Sequence, residues 1–388
     1  MNFATRMNGL GGDAAIEVFT QAKQLEDQGR NIIHLEIGQP DFKTPQNIRE
    51  VAFQAMNDGY TTYTPAAGLL KLREVIAEHI SQTRNISVNS DEVVVMPGAK
   101  PVIFFTLLAL INPGDEVIYP NPGFPVYESV INLVGGKPIP LPLLEELDFQ
   151  FSIDNLANSI SEKTKLLILN SPHNPTGSVL TPEYLEAIAK LAVKHNLYIL
   201  SDEIYSHLMY DSKFTSIINF PSAKERTILL DGHSKTYAMT GWRLGYSISP
   251  KAIAEKLEQL MLNSNSCACS FTQIAGIEAI KNSQNFVKEM LLEFKQRREI
   301  IVDGLNSIPG INCRKPAGAF YVFPNVKQLP ISCEKLADYL LAEAGVALLP
   351  GTAYGKFGDG YLRLSYANSI ENIQLGISKI KTAIAKLY

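Results

Sequence analysis

Lys165-Leu166-Leu167-Ile168-Leu169-Asn170 and Leu197-Tyr198-Ile199-Leu200-Ser201-Asp202 are two largely apolar runs, each ending on a polar residue. Between them, Thr181-Pro182-Glu183 carries a helix start: a capping hydroxyl, a proline at the first helical position and an acid in the first turn. Runs that are apolar almost throughout, rather than alternating, fit strands covered on both faces, as in a parallel sheet packed between helices. The pattern continues outward. Glu92-Val93-Val94-Val95-Met96 reads as a strand with a helix from about Pro101 to Leu110 behind it, and Asp115 to Tyr119 and Thr227 to Leu230 read as further strands. The middle of the chain is therefore an α/β layer domain.

The ends differ. Ser283 to Leu305 has helical periodicity with many charges. Short strands follow at Ala319 to Phe323 and Tyr361 to Ser365, with a helix between them and another closing the chain. The expected division is a large domain over 46–280 and a smaller α+β domain from 1–45 and 281–388.

The bulk properties exclude several classes of function. The chain has 388 residues and a formal net charge of −4, which argues against a nucleic-acid binder. Its longest apolar run, Val102 to Ile111, is too short to span a membrane and is interrupted by Thr106. The start, Met1-Asn2-Phe3-Ala4-Thr5-Arg6, lacks the apolar stretch of a secretory signal. Four cysteines make no disulfide framework, and the Cys267/Cys269 pair has no His-rich segment beside it, so it reads as buried free thiols and not as a zinc site. A reducing cytoplasm is the expected location.

In an open parallel sheet, ligands collect at the carboxyl ends of the strands, and the polar motifs fall there. Lys235 and Arg243 lie eight residues apart in a polar, glycine-bearing turn after Thr227–Leu230. A shielded lysine can lose its proton and attack an aldehyde, and an arginine can hold an oxyanion by two parallel hydrogen bonds. That pair points to pyridoxal 5′-phosphate, against the plainer reading of a solvated surface loop. Pro97-Gly98-Ala99-Lys100 precedes a helix start, where backbone N–H groups can meet a phosphate, although many such turns hold glycine for structural reasons. Asn174, in Asn170-Ser171-Pro172-His173-Asn174-Pro175-Thr176-Gly177, offers an amide donor or belongs to a structural turn. Asp202 follows an apolar run, so it is expected to be buried and to need a cation: either a protein Arg or Lys, or a protonated pyridine nitrogen. Arg363 stands between Leu362 and Leu364, either on a solvent face or as a clamp for a carboxylate.

The order of these motifs resembles that of the class I aminotransferases in the aspartate aminotransferase superfamily, fold type I of the pyridoxal-phosphate enzymes. The resemblance runs from Ile37-Gly38-Gln39-Pro40-Asp41 to Leu362-Arg363-Leu364-Ser365 and rests on Asn174-Pro175-Thr176-Gly177, Ser201-Asp202-Glu203-Ile204-Tyr205, and Ser234-Lys235 with Gly241-Trp242-Arg243. It implies a large domain with a mostly parallel seven-stranded sheet, a smaller α+β domain, and a homodimer with shared active sites. It also implies roles for single residues. Lys235 forms the imine with the cofactor and then shuttles the substrate proton. Asp202 holds the pyridinium, and Asn174 and Tyr205 bond the phenolic oxygen. Phe124 stacks on the ring. Gly98, Ala99, Lys100 and Arg243 surround the phosphate, with Tyr63 of a second copy. Arg363 clamps the α-carboxylate, assisted by Gly38 and Asn174. Gly232 stands where the family often has a serine, which predicts a missing phosphate contact that Ser234 or His233 does not evidently replace.

The resemblance leaves the substrate open. A lysine at the position of Lys100 favours an acidic side chain, hence aspartate as donor and 2-oxoglutarate as acceptor. Leu10-Gly11-Gly12-Asp13-Ala14-Ala15 departs from the polar pattern that goes with that preference, so alanine or aromatic donors stay open. A lyase on the same fold is a further alternative, and a non-catalytic cofactor-binding domain is disfavoured because the chain has no spare length for a DNA-binding extension.

Overall fold

The computed structural model describes residues 3–12 and 14–388. Twelve strands are described, in chain order β1 Ile33–His34, β2 Val93–Met96, β3 Glu116–Asn121, β4 Lys137–Pro142, β5 Thr164–Asn170, β6 Tyr198–Asp202, β7 Thr227–Gly232, β8 Gly245–Ile248, β9 Tyr321–Val322, β10 Val346–Ala347, β11 Leu349–Pro350 and β12 Leu362–Ser365. Seven form one sheet in the order β2-β8-β7-β6-β5-β3-β4, in which β8 alone runs antiparallel to its neighbours. This is the mostly parallel α/β sheet that the unbroken apolar runs predicted.

The alternation of side chains along each strand divides one sheet between two cores. Val94, Met96, Leu166, Ile168, Leu200, Ile228 and Leu230 belong to one buried cluster. Val93, Val95, Leu167, Leu169, Ile199 and Leu229 belong to the other. Each such side chain stabilises the fold by about 1.5–3 kcal/mol relative to exposure, and helices cover both faces. The helix Pro182–Lys194 starts as the sequence predicts, with the Thr181 hydroxyl accepting from the Tyr184 N–H.

Register sets the site. Asn170 pairs with Asp202 across β5 and β6, and Gly232 with Gly245 across β7 and β8. Met96, at the end of β2, also pairs with Gly245. The ends of β2, β5, β6 and β7 therefore share one edge. Against it lie two small sheets. In one, β1 runs parallel to β10; in the other, β12 is flanked antiparallel by β11 and β9. The long helix Gln284–Asn306 and the closing helix Ile370–Ile384 pack together beside them.

The cysteine expectation needs one correction. All four thiols are free, and Cys313 and Cys333 are buried, but Cys267 is only half-buried and Cys269 is exposed. Cys269 caps the helix Ser270–Asn282, a position at the surface end of an element rather than within its packed face. Among the described residues, no helix is long and apolar enough to cross a membrane.

Candidate active site

A cavity of about 400 Å³ opens at the shared strand edge. Lys100, Phe124, Asn174, Asp202, Tyr205, Lys235, Arg243 and Arg363 all line it, with Gly38 and Ala99. Residues from seven separate stretches of sequence are thus brought to one space, most by the register of the large sheet and Gly38 and Arg363 by the small sheets packed against it.

Asp202 closes β6 and is buried. Its partners are neutral: the Tyr127 hydroxyl donates to Oδ2 at 2.7 Å, and the Ile204 N–H donates to Oδ1 at 3.2 Å. Burial outweighs these bonds and lifts the carboxyl to about 6. Of the two partners expected from the sequence, no protein Arg or Lys is hydrogen-bonded to it among the described residues, and the Lys235 charge adds only a smaller downward pull, so the carboxylate still favours a positive charge in the cavity.

Lys235 sits on the short turn His233–Thr236 that follows β7. Its Nζ donates to the Gly38 carbonyl at 2.6 Å and lies 5.9 Å from the centre of the Phe320 ring. Burial first, then the positive charges of Arg243, Arg363 and Lys100, bring the ammonium down to about 8, against a smaller pull from Asp202. The amine is therefore close to the point at which it becomes a nucleophile and a base.

One end of the cavity is built from backbone. Arg243 adopts a left-handed conformation at φ 53° and donates from Nη1 to the Thr240 carbonyl at 2.8 Å. Gly98 does not itself line the cavity; at φ +91°, a Cβ there would stand 2.1 Å from Arg243 Nη2, so the missing side chain makes room for the guanidinium. Gly232, read as a lost serine contact, has a different explanation. A Cβ on it would lie 2.9 Å from Gly245 Cα and 3.1 Å from the Leu244 carbonyl oxygen, so this position admits no side chain while β7 and β8 stay this close. His233 does not compensate, because its ring is buried and its Nε2 lies 3.3 Å from the Gly276 carbonyl. Ser234 and Thr240 do line the cavity.

At the other end, Arg363 is 2% exposed, which rules out the solvent-face alternative. Its guanidinium lies 4.7 Å from the Tyr321 ring centre and 5.3 Å from that of Tyr354, and Nη2 donates to the Glu36 carbonyl. Its buried Nε has no hydrogen-bond partner. The Tyr205 and Tyr321 hydroxyls are 2.8 Å apart. Asn174 is anchored through its own N–H to Asn170 Oδ1 at 2.9 Å, and its buried side-chain Oδ1 has no partner. Phe124 packs edge-on against Tyr127 at 5.7 Å, and Lys100 Nζ lies 5.4 Å from the Phe124 ring centre. Ala14, Ala15 and Ile16 complete an apolar wall, while Asp13 of the same segment lies outside the described residues. Tyr63 is 87% exposed and lies outside the lining of this cavity.

Sequence reasoning missed Tyr127, Tyr321 and Tyr354. Tyr127 had a usable signal, since it lies one helical turn from Phe124; the other two are placed only by tertiary packing. What the cavity leaves unmet is a set of groups: a buried carboxylate with no hydrogen-bonded cation among the described residues, an unpartnered amide oxygen on Asn174, a lysine brought down to about 8, and two arginines. A phosphorylated pyridine aldehyde fits the carboxylate, the lysine and the Arg243 end of this set, and the Arg363 end has room for a further anion.

Comparison with known proteins agrees. The family model for aminotransferase class I and II matches residues 30–380. An aspartate aminotransferase of Pyrococcus horikoshii is 41% identical over 95% of this chain and 93% of its own. Aromatic-amino-acid aminotransferase 2 of Thermococcus litoralis is 38% identical over 95% and 94%. The solved structure of aspartate aminotransferase from Thermus thermophilus with maleate superposes with a TM-score of 0.95 at 35% identity, covering 99% of this chain and 100% of that one. The family generally uses pyridoxal phosphate. With a match that runs through every strand of the large sheet and both arginine-bearing segments, this chain belongs to the class I and II aminotransferases and is a transferase enzyme.

Proposed function

We propose that the enzyme loads pyridoxal 5′-phosphate in this cavity and moves the amino group of an L-amino acid, aspartate foremost, to 2-oxoglutarate, the two substrates using the same site in turn. The observation that carries the reading is Lys235, brought down to about 8 by burial and by Arg243, Arg363 and Lys100, and lining one cavity with the buried Asp202 carboxylate and the buried Arg363 guanidinium. When bound, the cofactor supplies an aldehyde carbon for the amino group and a ring that accepts the electron pair left on Cα.

The protein does the rest. Asp202 keeps the ring nitrogen protonated, and that positive charge in turn favours the ionised carboxylate. Asn174 and Tyr205 address the phenolic oxygen, Phe124 covers the ring, and Ala99, Lys100 and Arg243 take the phosphate end, with Gly98 making space and Tyr63 of a second copy completing a homodimeric site. Lys235 takes the Cα proton and returns it. Arg363, with Gly38 and Asn174, holds the α-carboxylate common to donor and acceptor. The free thiols support a cytoplasmic enzyme.

For the distal group, Lys100 on the cavity wall supports an acidic side chain. The apolar Ala14, Ala15 and Ile16 support a second reading, an aromatic donor. The test is a panel of amino donors with 2-oxoglutarate, run beside single-turnover reactions. Aspartate is expected to outrun tyrosine and alanine, with one oxo acid released per site. Tyrosine in first place would replace aspartate by the aromatic reading, and pyruvate plus ammonia from the donor would make the enzyme a lyase.

A further inference from the structure

Arg363 and Lys235 share a support. Arg363 donates to the Glu36 carbonyl, and Lys235 donates to the Gly38 carbonyl, so one three-residue segment carries both cations. That segment leaves the sheets just before it acts. Ile33 and His34 pair with Val346 and Ala347, the Leu35 N–H donates to the Ala347 carbonyl at 2.9 Å, and the Ser365 N–H donates to the Leu35 carbonyl at 2.7 Å. Beyond Leu35, the tie at Glu36 is its side chain.

The Glu36 side chain is fully buried. His34 Nδ1 lies 2.7 Å from Glu36 Oε1, and His34 Nε2 lies 3.1 Å from Glu26 Oε1, so the imidazole bridges two carboxylates. Glu26 is also held by Lys23 at 2.7 Å, and Phe19 packs against the imidazole at 5.7 Å. Both ring nitrogens meeting carboxylate oxygens favours the imidazolium, and the Glu36 bond is the largest cause raising this histidine above its ordinary value. The charge-assisted bond to His34 holds one carboxylate oxygen, and with the buried Oε2 lacking a partner the imidazole is the restraint on this side chain among the described residues.

We propose that Glu36, fixed by His34, is a positioning residue for amino transfer: it holds the backbone at the place where the Glu36 carbonyl orients Arg363. It touches no substrate; its effect passes through Arg363. This rests on the reading of Arg363 as the carboxylate clamp.

The test measures maleate, the dicarboxylate in the Thermus structure, binding to the cofactor-loaded enzyme by calorimetry, together with KM and kcat. Glu36→Gln keeps the shape and removes the charge. His34→Gln removes the cation at a side chain 23% exposed, and serves if the buried variant does not fold. Each is expected to weaken maleate at least about tenfold and to raise KM for both donor and acceptor, with kcat changed less than about threefold. The double variant is expected to be no worse than the poorer single one, because both break the same tie. Unchanged maleate affinity with only a lower melting temperature would overturn the positioning role. Arg363→Lys is the control: if it leaves maleate binding intact, the clamp reading falls and this inference with it, whereas loss there alone removes the inference and keeps the clamp.

Discussion

The hydroxyls of Tyr205 and Tyr321 meet at 2.8 Å inside the cavity, though the two residues are 116 positions apart in the chain. Both rings are buried, and burial pushes the Tyr205 phenol well above its usual range, so Tyr205 stays protonated and the two hydroxyls share one hydrogen bond. Tyr205→Phe and Tyr321→Phe should each cost the cofactor-free protein about 1 kcal/mol. The double variant should cost less than the sum, since the bond is lost once. Turnover should fall further for Tyr205→Phe, the partner assigned to the cofactor. Denaturant midpoints and single-turnover rates on the four proteins check both statements.

Lys235→Ala removes the nucleophile and the proton carrier together. Turnover should drop by at least about 10³-fold, in line with loss of a general base, and the absorbance of lysine-bound cofactor should vanish. Wild-type-like absorbance in the variant would place the covalent attachment elsewhere.

Asp202 ties function to stability with opposite signs in the free and loaded protein. Its carboxyl rises from 3.8 to about 6 on folding, so between those values the native state binds more protons than the unfolded one. Stability of the free protein therefore falls as pH rises through that window. Asp202→Asn, neutral throughout, should melt higher than wild type at pH 8 by an amount on the order of 2–3 kcal/mol. The gain should shrink to nothing as pH is lowered below about 4. Adding cofactor should reverse the order, because only the carboxylate answers a ring cation. Melting curves against pH, with and without cofactor, show whether the two reversals occur.

Gly232→Ser puts back the serine that the family pattern favours. The opposing Gly245 Cα and Leu244 carbonyl leave it no room, so it should destabilise by about 1–3 kcal/mol. It should also weaken the cofactor rather than tighten it. Equilibrium dialysis of cofactor beside thermal melts distinguishes a restored contact from a forced strand.

Much of the sheet was legible because burial on both faces leaves long apolar runs, and the strand that ends in Asp202 announces its carboxylate by that contrast. The partners of these residues were not legible. Tyr127 reaches Asp202 from 75 positions away, and its spacing from Phe124 points to the cavity without naming Asp202 as its partner. The face of Arg363 could not be read from Leu362 and Leu364, because burial on both sides of β12 removes the solvent face that alternation assumes. The crowding at Gly232 was hidden for a related reason: its neighbour Gly245 lies across a strand pair, and the space it lacks is a property of that pairing.

The Gly232, Gly245 and Gly98 contacts have a further consequence. A Cβ on Gly245 would meet the Ala99 nitrogen and the Gly98 carbonyl carbon, each at 2.5 Å, so the ends of β7, β8 and the turn after β2 touch main chain to main chain. The backbone of the wall assigned to the phosphate is shaped by bond lengths and strand register, and only Lys100 and Arg243 bring long side chains to it. The mouth at Ala14, Ala15 and Ile16 is instead edged by side chains. Descendants of this chain can change what they accept by redrawing that mouth one residue at a time, whereas the glycine end can change only as a block.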